Sequence, residues 1–290
     1  MQQVLTRTDE LGHFLRTRRA RLTPDDVGLT AYGARRVPGL RREELAMLAG
    51  VSVTYYTRLE QGQSVNASAS VIDAIGRALG LDEDERAHLH DLAKPSGGRG
   101  GRRPRRPARL RPGIKTLIEA MSGVPALALA PSTDVLAWNR LGHALVAGHV
   151  ALDAPDQVGT RPNLTRMLFL DPHTRELYAD WDEEARRAVA SLRLVAGRFP
   201  DDPPLAELVG ELSIASPVFA ALWARHPVHN CTSGTKRLDH PEVGHLELGF
   251  EVLHLPDDPA VRLLTYSAAT GPARNSVELL AHLVGQRARS

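Results

Sequence analysis

Cysteine is almost missing from this chain: Cys231 is the single one among 290 residues. One thiol cannot close an internal disulfide, which fits a reducing cytoplasm. Long apolar runs are missing too. No uninterrupted stretch approaches the roughly 18 residues of a membrane helix, which argues against an integral membrane protein. The opening MQQVLTRTDELGHFLRTRR is charged and amphipathic and lacks the apolar core and cleavage site of a secretory signal. Lysine is scarce beside arginine, while Ala, Gly and Pro abound; that bias reads as the mark of a GC-rich genome rather than of a function. What remains is ordinary. Hydrophobic residues make 42% and charged residues 24%, values that leave material for packed cores and rule out wholesale disorder, in a length suited to about two domains.

The net charge of +2 hides an asymmetry. Residues 1–110 carry 19 Lys and Arg against 13 Asp and Glu, whereas residues 111–290 carry 17 against 21. The excess is local. KPSGGRGGRRPRRPARLRPG, Lys94–Gly113, holds eight basic side chains and no acidic one. Its Gly, Pro and Ser content denies it a core, so it is expected to be a solvated tether and a domain boundary. Arg102, Arg103, Arg105 and Arg106 would hold phosphates there by counterion release, or lie in a minor groove of enhanced negative potential. A charge-extended linker with no site of its own is the plainer alternative.

Ahead of the tether the apolar spacing is helical. Leu11, Phe14 and Leu15 share one face of a first helix ending near Leu22. A loop over Val27–Pro38 follows, with no role assigned. A second helix runs from about Arg41 to Ala49 with Leu45, Leu48 and Ala49 inward; Gly50 ends it, and Ser52 caps a third helix reaching Gln61. Ser68–Leu79 forms a fourth, and Asp82 with Glu85 has the capping-box spacing of a fifth that carries Leu89 and Leu92 inward. Ala46 as the small residue, Gly50 as the turn, and Leu45, Val51, Tyr56 and Leu59 as locks are what two helices crossing over a short turn require. That set fits a helix-turn-helix, with an ordinary helical hairpin as the alternative.

The string REELAMLAGVSVTYYTRLEQGQ resembles the Xre/lambda-repressor-like helix-turn-helix family, and the resemblance covers residues 9–93. It implies an all-α five-helix DNA-binding domain whose recognition helix begins at Ser52 and presents Val53, Thr54, Tyr55 and Arg58 to the major groove of a double-stranded operator. Arg58 suits a bidentate contact with guanine, and Val53 or Thr54 a thymine methyl. Ser52 would cap the helix or meet a phosphate. Arg35, Arg36, Arg41 and Arg42, at the entrance to the second helix, would fix orientation on phosphates without reading sequence, unless they form only a solvated basic patch. Glu60 is expected to be structural, paired with a nearby arginine. Readers of this kind bind inverted half-sites as dimers, which implies a homodimer.

Beyond Gly113 the texture changes. A short helix over Ile114–Met121 leads to ALALAP and VLAWN, two apolar runs separated by Ser132–Asp134 that read as a hairpin. Helices are expected after Asn139 and over Asn163–Leu170, Asp182–Phe199, Leu205–Ile214 and Pro217–Arg225. GHLELGFEVLHL, Gly244–Leu255, alternates Leu246, Leu248, Phe250 and Val252 against His245, Glu247, Gly249 and Glu251, and VRLLTYSA, Val261–Ala268, is a second late strand. Asn275–Gln286 closes with Val277, Leu280, Leu283 and Val284 on one face. Early and late strands around a helical middle imply an α+β domain with an antiparallel sheet.

The strings VLAWNRLGHAL, NLTRMLFLDP and GTKRLDHPEVGHLELGFEVL, with the closing helix, resemble the MmyB-like regulator ligand-binding domain over about residues 113–285. The resemblance implies a PAS-like fold fused behind a helix-turn-helix. It also implies a sensor of small, largely apolar molecules, with fatty acids the favoured suggestion. The expected division is a helix-turn-helix domain at 1–93, a basic linker at 94–112 and a ligand-binding domain at 113–290. Trp138, Phe169, Trp181, Phe219, Trp223, Phe250 and Tyr266 are the large side chains that would line an apolar pocket, although plain core packing serves each singly. Arg166 or Arg193 would pair with a carboxylate head group or with a surface acid.

Other chemistry finds little support. His226, His229 and Cys231 in HPVHNC cluster as metal ligands do, but Pro227 and the short spacing suit a closed four-ligand site poorly; no metal and no cofactor is expected. CTSGTK lacks a nucleophile elbow and a phosphate loop, so a non-enzymatic, cytoplasmic transcription regulator is the expectation. An enzyme recruited by its helix-turn-helix would show a polar cluster of perturbed pKa in the second domain. A dimerisation or protein-partner module without a small ligand would show an open apolar patch and no enclosed cavity.

Overall fold

The computed structural model describes residues 7–29, 39–63, 67–94, 109–269, 271–287 and 289. Arg35, Arg36, Arg102, Arg103, Arg105 and Arg106 lie outside the described residues. The chain divides into two compact units, one of residues 1–103, 193–202 and 223–230, the other of residues 104–192, 203–222 and 231–290.

The first unit carries five helices: α1 Arg7–Arg21, α2 Arg42–Ala49, α3 Val53–Glu60, α4 Ala69–Ala78 and α5 Glu83–Ala93. Their apolar stripes meet in one core of Leu11, Phe14, Leu15, Leu45, Ala46, Tyr56, Leu59, Ile72, Ile75, Leu89 and Leu92, which Val228 also joins. Three starts are capped: Ser52, Ser68 and Asp82 accept from the N–H of Tyr55, Val71 and Glu85, each cap being worth about 1 kcal/mol. Gly50 turns the chain between α2 and α3 at φ 66°, a left-handed conformation that costs glycine little. Leu48 departs from expectation: it is exposed, not inward. Leu45, Ala46 and Ala49 fill the buried stripe of α2, and at roughly 100° per residue Leu48 falls well to one side of it.

The second unit opens with α6, Pro112–Ala120, then the hairpin β1 Ala126–Leu129 and β2 Val135–Trp138, and α7 Arg140–Ala147. The helical middle is α8 Leu164–Leu170, α9 Pro172–Leu177, α10 Trp181–Arg198, α11 Pro203–Ala215 and α12 Pro217–Ala224. Strands β3 Ser233–His240, β4 Gly244–Leu255 and β5 Asp258–Ser267 follow, and α13, Gly271–Arg287, closes. The strands form one antiparallel sheet in the order β2-β1-β5-β4-β3. The early hairpin joins the late strands through β1, with Ala126 opposite Thr265 and Leu129 opposite Arg262.

Both faces of β1 and β2 are buried. Leu127, Leu129 and Val135 pack with Leu248, Phe250, Leu264 and Tyr266, against Leu141 and Leu145 of α7 and Val277 and Leu280 of α13. On the other face Ala126, Ala128, Leu136 and Leu263 pack with Ile118 of α6. Asn139 closes the join: Oδ1 accepts from Gly142 and Ala126, and Nδ2 donates to the carbonyls of Met121 and Val124. No single described helix is long and apolar enough to cross a membrane.

Candidate nucleic-acid interface and ligand cavity

The third helix divides cleanly by burial. Tyr56, Leu59 and Glu60 are buried, while Val53, Thr54 and Arg58 are exposed and Tyr55 is half-buried. The inward anchor is electrostatic as well as apolar. Glu60 receives Arg19 Nε and Nη2, both at 2.9 Å, and Arg42 Nε at 3.1 Å, with Arg16 Nε 3.7 Å away. Burial alone would raise the Glu60 pKa; the bonds from Arg19 and Arg42 outweigh it and hold the carboxyl below its ordinary value. Glu60 is thus the structural acid the sequence led us to expect. Arg42 gives one edge of its guanidinium to Glu60, and the backbone N–H of Arg41 donates to Glu44. Ser52 spends its hydroxyl on the Tyr55 cap at 3.1 Å. A rigid short helix with small, methyl-bearing and guanidinium groups on its free side can enter a major groove.

In the second unit a cavity of about 110 Å³ lies between the sheet and the helices α8 and α10. Leu129, Phe250, Val252 and Leu264 give one wall, Leu164, Leu168, Ala188 and Leu192 the other, with Thr133, Thr165 and Ser191 as small polar groups. Of the aromatic residues picked from sequence, Phe250 and Tyr266 line this cavity. Trp138 lines a separate groove and donates to the carbonyl of Leu152. Phe169 packs edge-on against both Trp181 and Phe219. Trp223, in the first unit, lies under the guanidinium of Arg193 at 3.7 Å.

Sequence reading missed the cavity's charged members. Lys236 is ion-paired with Glu184 beside Tyr178 and Tyr266. Burial opposes the Lys236 ammonium, but Glu184 with the two tyrosines outweighs it and raises the pKa above the ordinary lysine value. Burial also pushes the Tyr178 and Tyr266 phenols up. Arg262 differs. The side chain keeps some exposure, but its Nε is out of water and has no hydrogen-bond partner among the described residues, and burial lowers its pKa to about 10. In sequence it shows only as the one charge in VRLLTYSA, a run that also holds Thr265, Tyr266 and Ser267 and leaves its facing open. Arg166 and Arg193 are both engaged by acids: Arg166 is bidentate on Glu211 at 2.8 Å, and Arg193 donates to Glu10 at 2.9 Å and to the carbonyl of Trp223 at 2.6 Å.

The HPVHNC residues go to different surroundings. His226 is buried and stacks on His13 with ring centroids 4.3 Å apart, His229 faces Asp84 at 3.4 Å, and the Cys231 Sγ points at the Arg187 carbonyl.

Comparison with known protein families agrees with the two-domain architecture. No curated protein matched the chain. Residues 10–89 match a helix-turn-helix domain, and residues 110–280 match the MmyB-like transcription regulator ligand binding domain. The second match alone spans more than half the chain, and the protein therefore belongs to the MmyB-like transcription regulators, a DNA-binding regulator with a ligand-binding domain.

Proposed function

We propose that the protein reads a specific operator through α3 and that its C-terminal domain responds to a small apolar acid of fatty-acid character. The observation that carries the first part is the outward side of α3, where Val53, Thr54 and Arg58 are exposed and Tyr55 half-exposed while Tyr56, Leu59 and Glu60 fix the helix. Val53, Thr54, Tyr55 and Arg58 are assigned to base edges. Ser52, Arg41 and Arg42, and with them Arg35, Arg36, Arg102, Arg103, Arg105 and Arg106, are assigned to caps and phosphates. The working form is a homodimer on an inverted repeat, in the cytoplasm where its DNA lies. The ligand acts by binding DNA-competent and incompetent arrangements with different affinity.

The second part rests on Arg262, which has no ion pair among the described residues and lines a cavity with apolar walls, an arrangement that suits a carboxylate head group on an apolar body. The cavity's other charges do not favour an enzyme. A nucleophilic lysine or a general base needs a pKa brought toward neutrality, whereas Lys236, Tyr178 and Tyr266 are displaced upward.

The test is fluorescence anisotropy on a footprinted operator and on a random duplex of equal length. Arg58→Ala is expected to cost about 1–3 kcal/mol on the operator and nearly nothing on the random duplex. Equal loss on both sinks the assignment. Native mass spectrometry of freshly purified protein separates the ligand reading from a partner module: a bound acid of lipid size is expected, and none in any preparation favours the partner module.

A further inference from the structure

We propose that His149, Asp171 and His173 form a binding site for one divalent transition-metal ion of the zinc class, distinct from the ligand cavity. His149 follows the end of α7; Asp171 and His173 stand at the start of α9. Among the described residues this is the one group of three such side chains whose ligand atoms all lie within 4.8 Å of one another.

The geometry goes beyond proximity. The two imidazoles are stacked, centroids 4.7 Å apart and planes 12° off parallel. Each turns a nitrogen to a different oxygen of the same carboxylate: His149 Nε2 stands 2.8 Å from Asp171 Oδ2, and His173 Nδ1 3.4 Å from Oδ1. Bonds of about 2.0–2.2 Å to a central ion put neighbouring ligand atoms about 2.8–3.6 Å apart in octahedral or tetrahedral arrangement, a range that holds both nitrogen–oxygen distances; the stacked rings must turn about their side-chain bonds to aim both nitrogens at one ion.

The carboxylate is already oriented. Asp171 Oδ2 accepts from the hydroxyl and the N–H of Thr174, and Oδ1 from the N–H of His173, the outer-shell support that metal ligands use. Two nitrogen donors and one oxygen favour zinc, nickel or copper over magnesium or calcium, which prefer all-oxygen shells. All three side chains keep some exposure, which leaves coordination positions open to water or to a further ligand. An ion held there would tie the end of α7 to the corner between α8 and α9.

The full chain, stripped with chelator, is to be titrated with zinc chloride in a calorimeter, alongside the double variant His149→Ala/His173→Ala, the single variant Asp171→Asn and a magnesium control. One saturable zinc equivalent is expected in the wild type. It should weaken more than about 100-fold in the double variant, since loss of outer-shell partners alone costs about 10–100-fold. Asp171→Asn, which keeps an oxygen to cap α9, should fall between. Saturating zinc should raise the melting temperature of the wild type and not of the double variant. Uptake by other histidines is common to all the proteins and cancels. Equal stoichiometry and affinity in wild type and double variant, or wild-type binding no stronger for zinc than for magnesium, overturns the proposal.

Discussion

A buried charge without an opposite charge is expensive enough to require a reason. Among the described residues Arg262 has no partner at Nε, although part of its side chain stays exposed, and desolvation accounts for the fall of its pKa to about 10. If its reason is an acid ligand, stability and binding should move in opposite directions. Replacing a charge that has lost hydration without gaining a counter-charge by an apolar side chain of similar length removes that desolvation cost. Arg262→Met is therefore expected to unfold at higher urea than the wild type, yet to lose the preference for octanoate over its methyl ester in calorimetric titration. A less stable variant with its acid preference intact contradicts the assignment. Legibility at this scale was uneven. Glu60 could be placed from sequence because an acid on a helix amid arginines has an obvious use, and Arg19 and Arg42 indeed hold it. Arg262 could not, because VRLLTYSA does not say whether its arginine faces water or a cavity.

Elements were read best where their ends carry chemistry. Ser52, Ser68, Asp82 and Asn139 cap the helices that follow them, so those boundaries were visible within a residue or two. Strand β3 went unnoticed because it is an edge strand: in SGTKRLDH only Leu238 and His240 are buried, which leaves no alternation to detect. Helix α9 has six residues and buries only Thr174 and Leu177, too short for a periodic signal. The pairing of β1 with β5 joins residues more than 130 positions apart, a distance that local pattern does not encode. Contact between elements is likewise a property of folded backbone, and Gly12 is a case. A Cβ built there falls 2.3 Å from the carbonyl oxygen of Glu60, so α1 lies against the end of α3 with no room for a methyl group. Gly12→Ala must push the helices apart at the residue that Arg19 and Arg42 hold. Overpacking of this kind costs about 1–3 kcal/mol. The variant should unfold at lower urea and bind the operator more weakly, whereas Gly210→Ala, on α11 where the added Cβ meets no neighbouring element within 4 Å, should leave operator binding unchanged. Unaltered stability in Gly12→Ala would show that α1 and α3 yield freely.

Over the whole chain, the first compact unit takes residues from three separate stretches, and no local pattern in residues 193–202 and 223–230 assigns them to the first hundred. They bring charge into a nearly dry place. Arg193 is 1% exposed and Arg18 4%; Arg193 bonds to Glu10, and Arg18 to Glu85 and to the carbonyl of His226. Three histidines share this interior. His88 is pushed down to about 3 by burial, then by Arg193 and Arg18. His226 is pushed down to about 2 by burial, then by Arg193, His13, Arg18 and His88. His13 is lowered by burial and by Arg16 and Arg193, against the pull of Glu10. His88 and His226 are thus neutral in the folded protein at pH 5 and above and take up protons near pH 6.5 once unfolded, and the lowered pKa of His13 acts in the same direction. The unfolded chain then binds more protons than the native one, so stability is full above about pH 6.5 and falls as pH drops below it. Each strongly depressed histidine contributes about 1.4 kcal/mol per pH unit in that window, or about 2 kcal/mol by pH 5. Carboxylates cannot produce this loss. Glu60, Asp171 and Glu211 have lowered pKa values, so their contribution is intact above the ordinary carboxylate range and fades only below about pH 4. Urea unfolding of the full chain at pH 7.5, 6 and 5 should therefore show a steady loss, and His88→Leu should remove about 2 kcal/mol of it between the extremes while lowering stability at pH 7.5 far less. A variant with the wild-type slope would mean that His88 gains its proton without unfolding, and that the interior around Arg193 opens to water in the native protein.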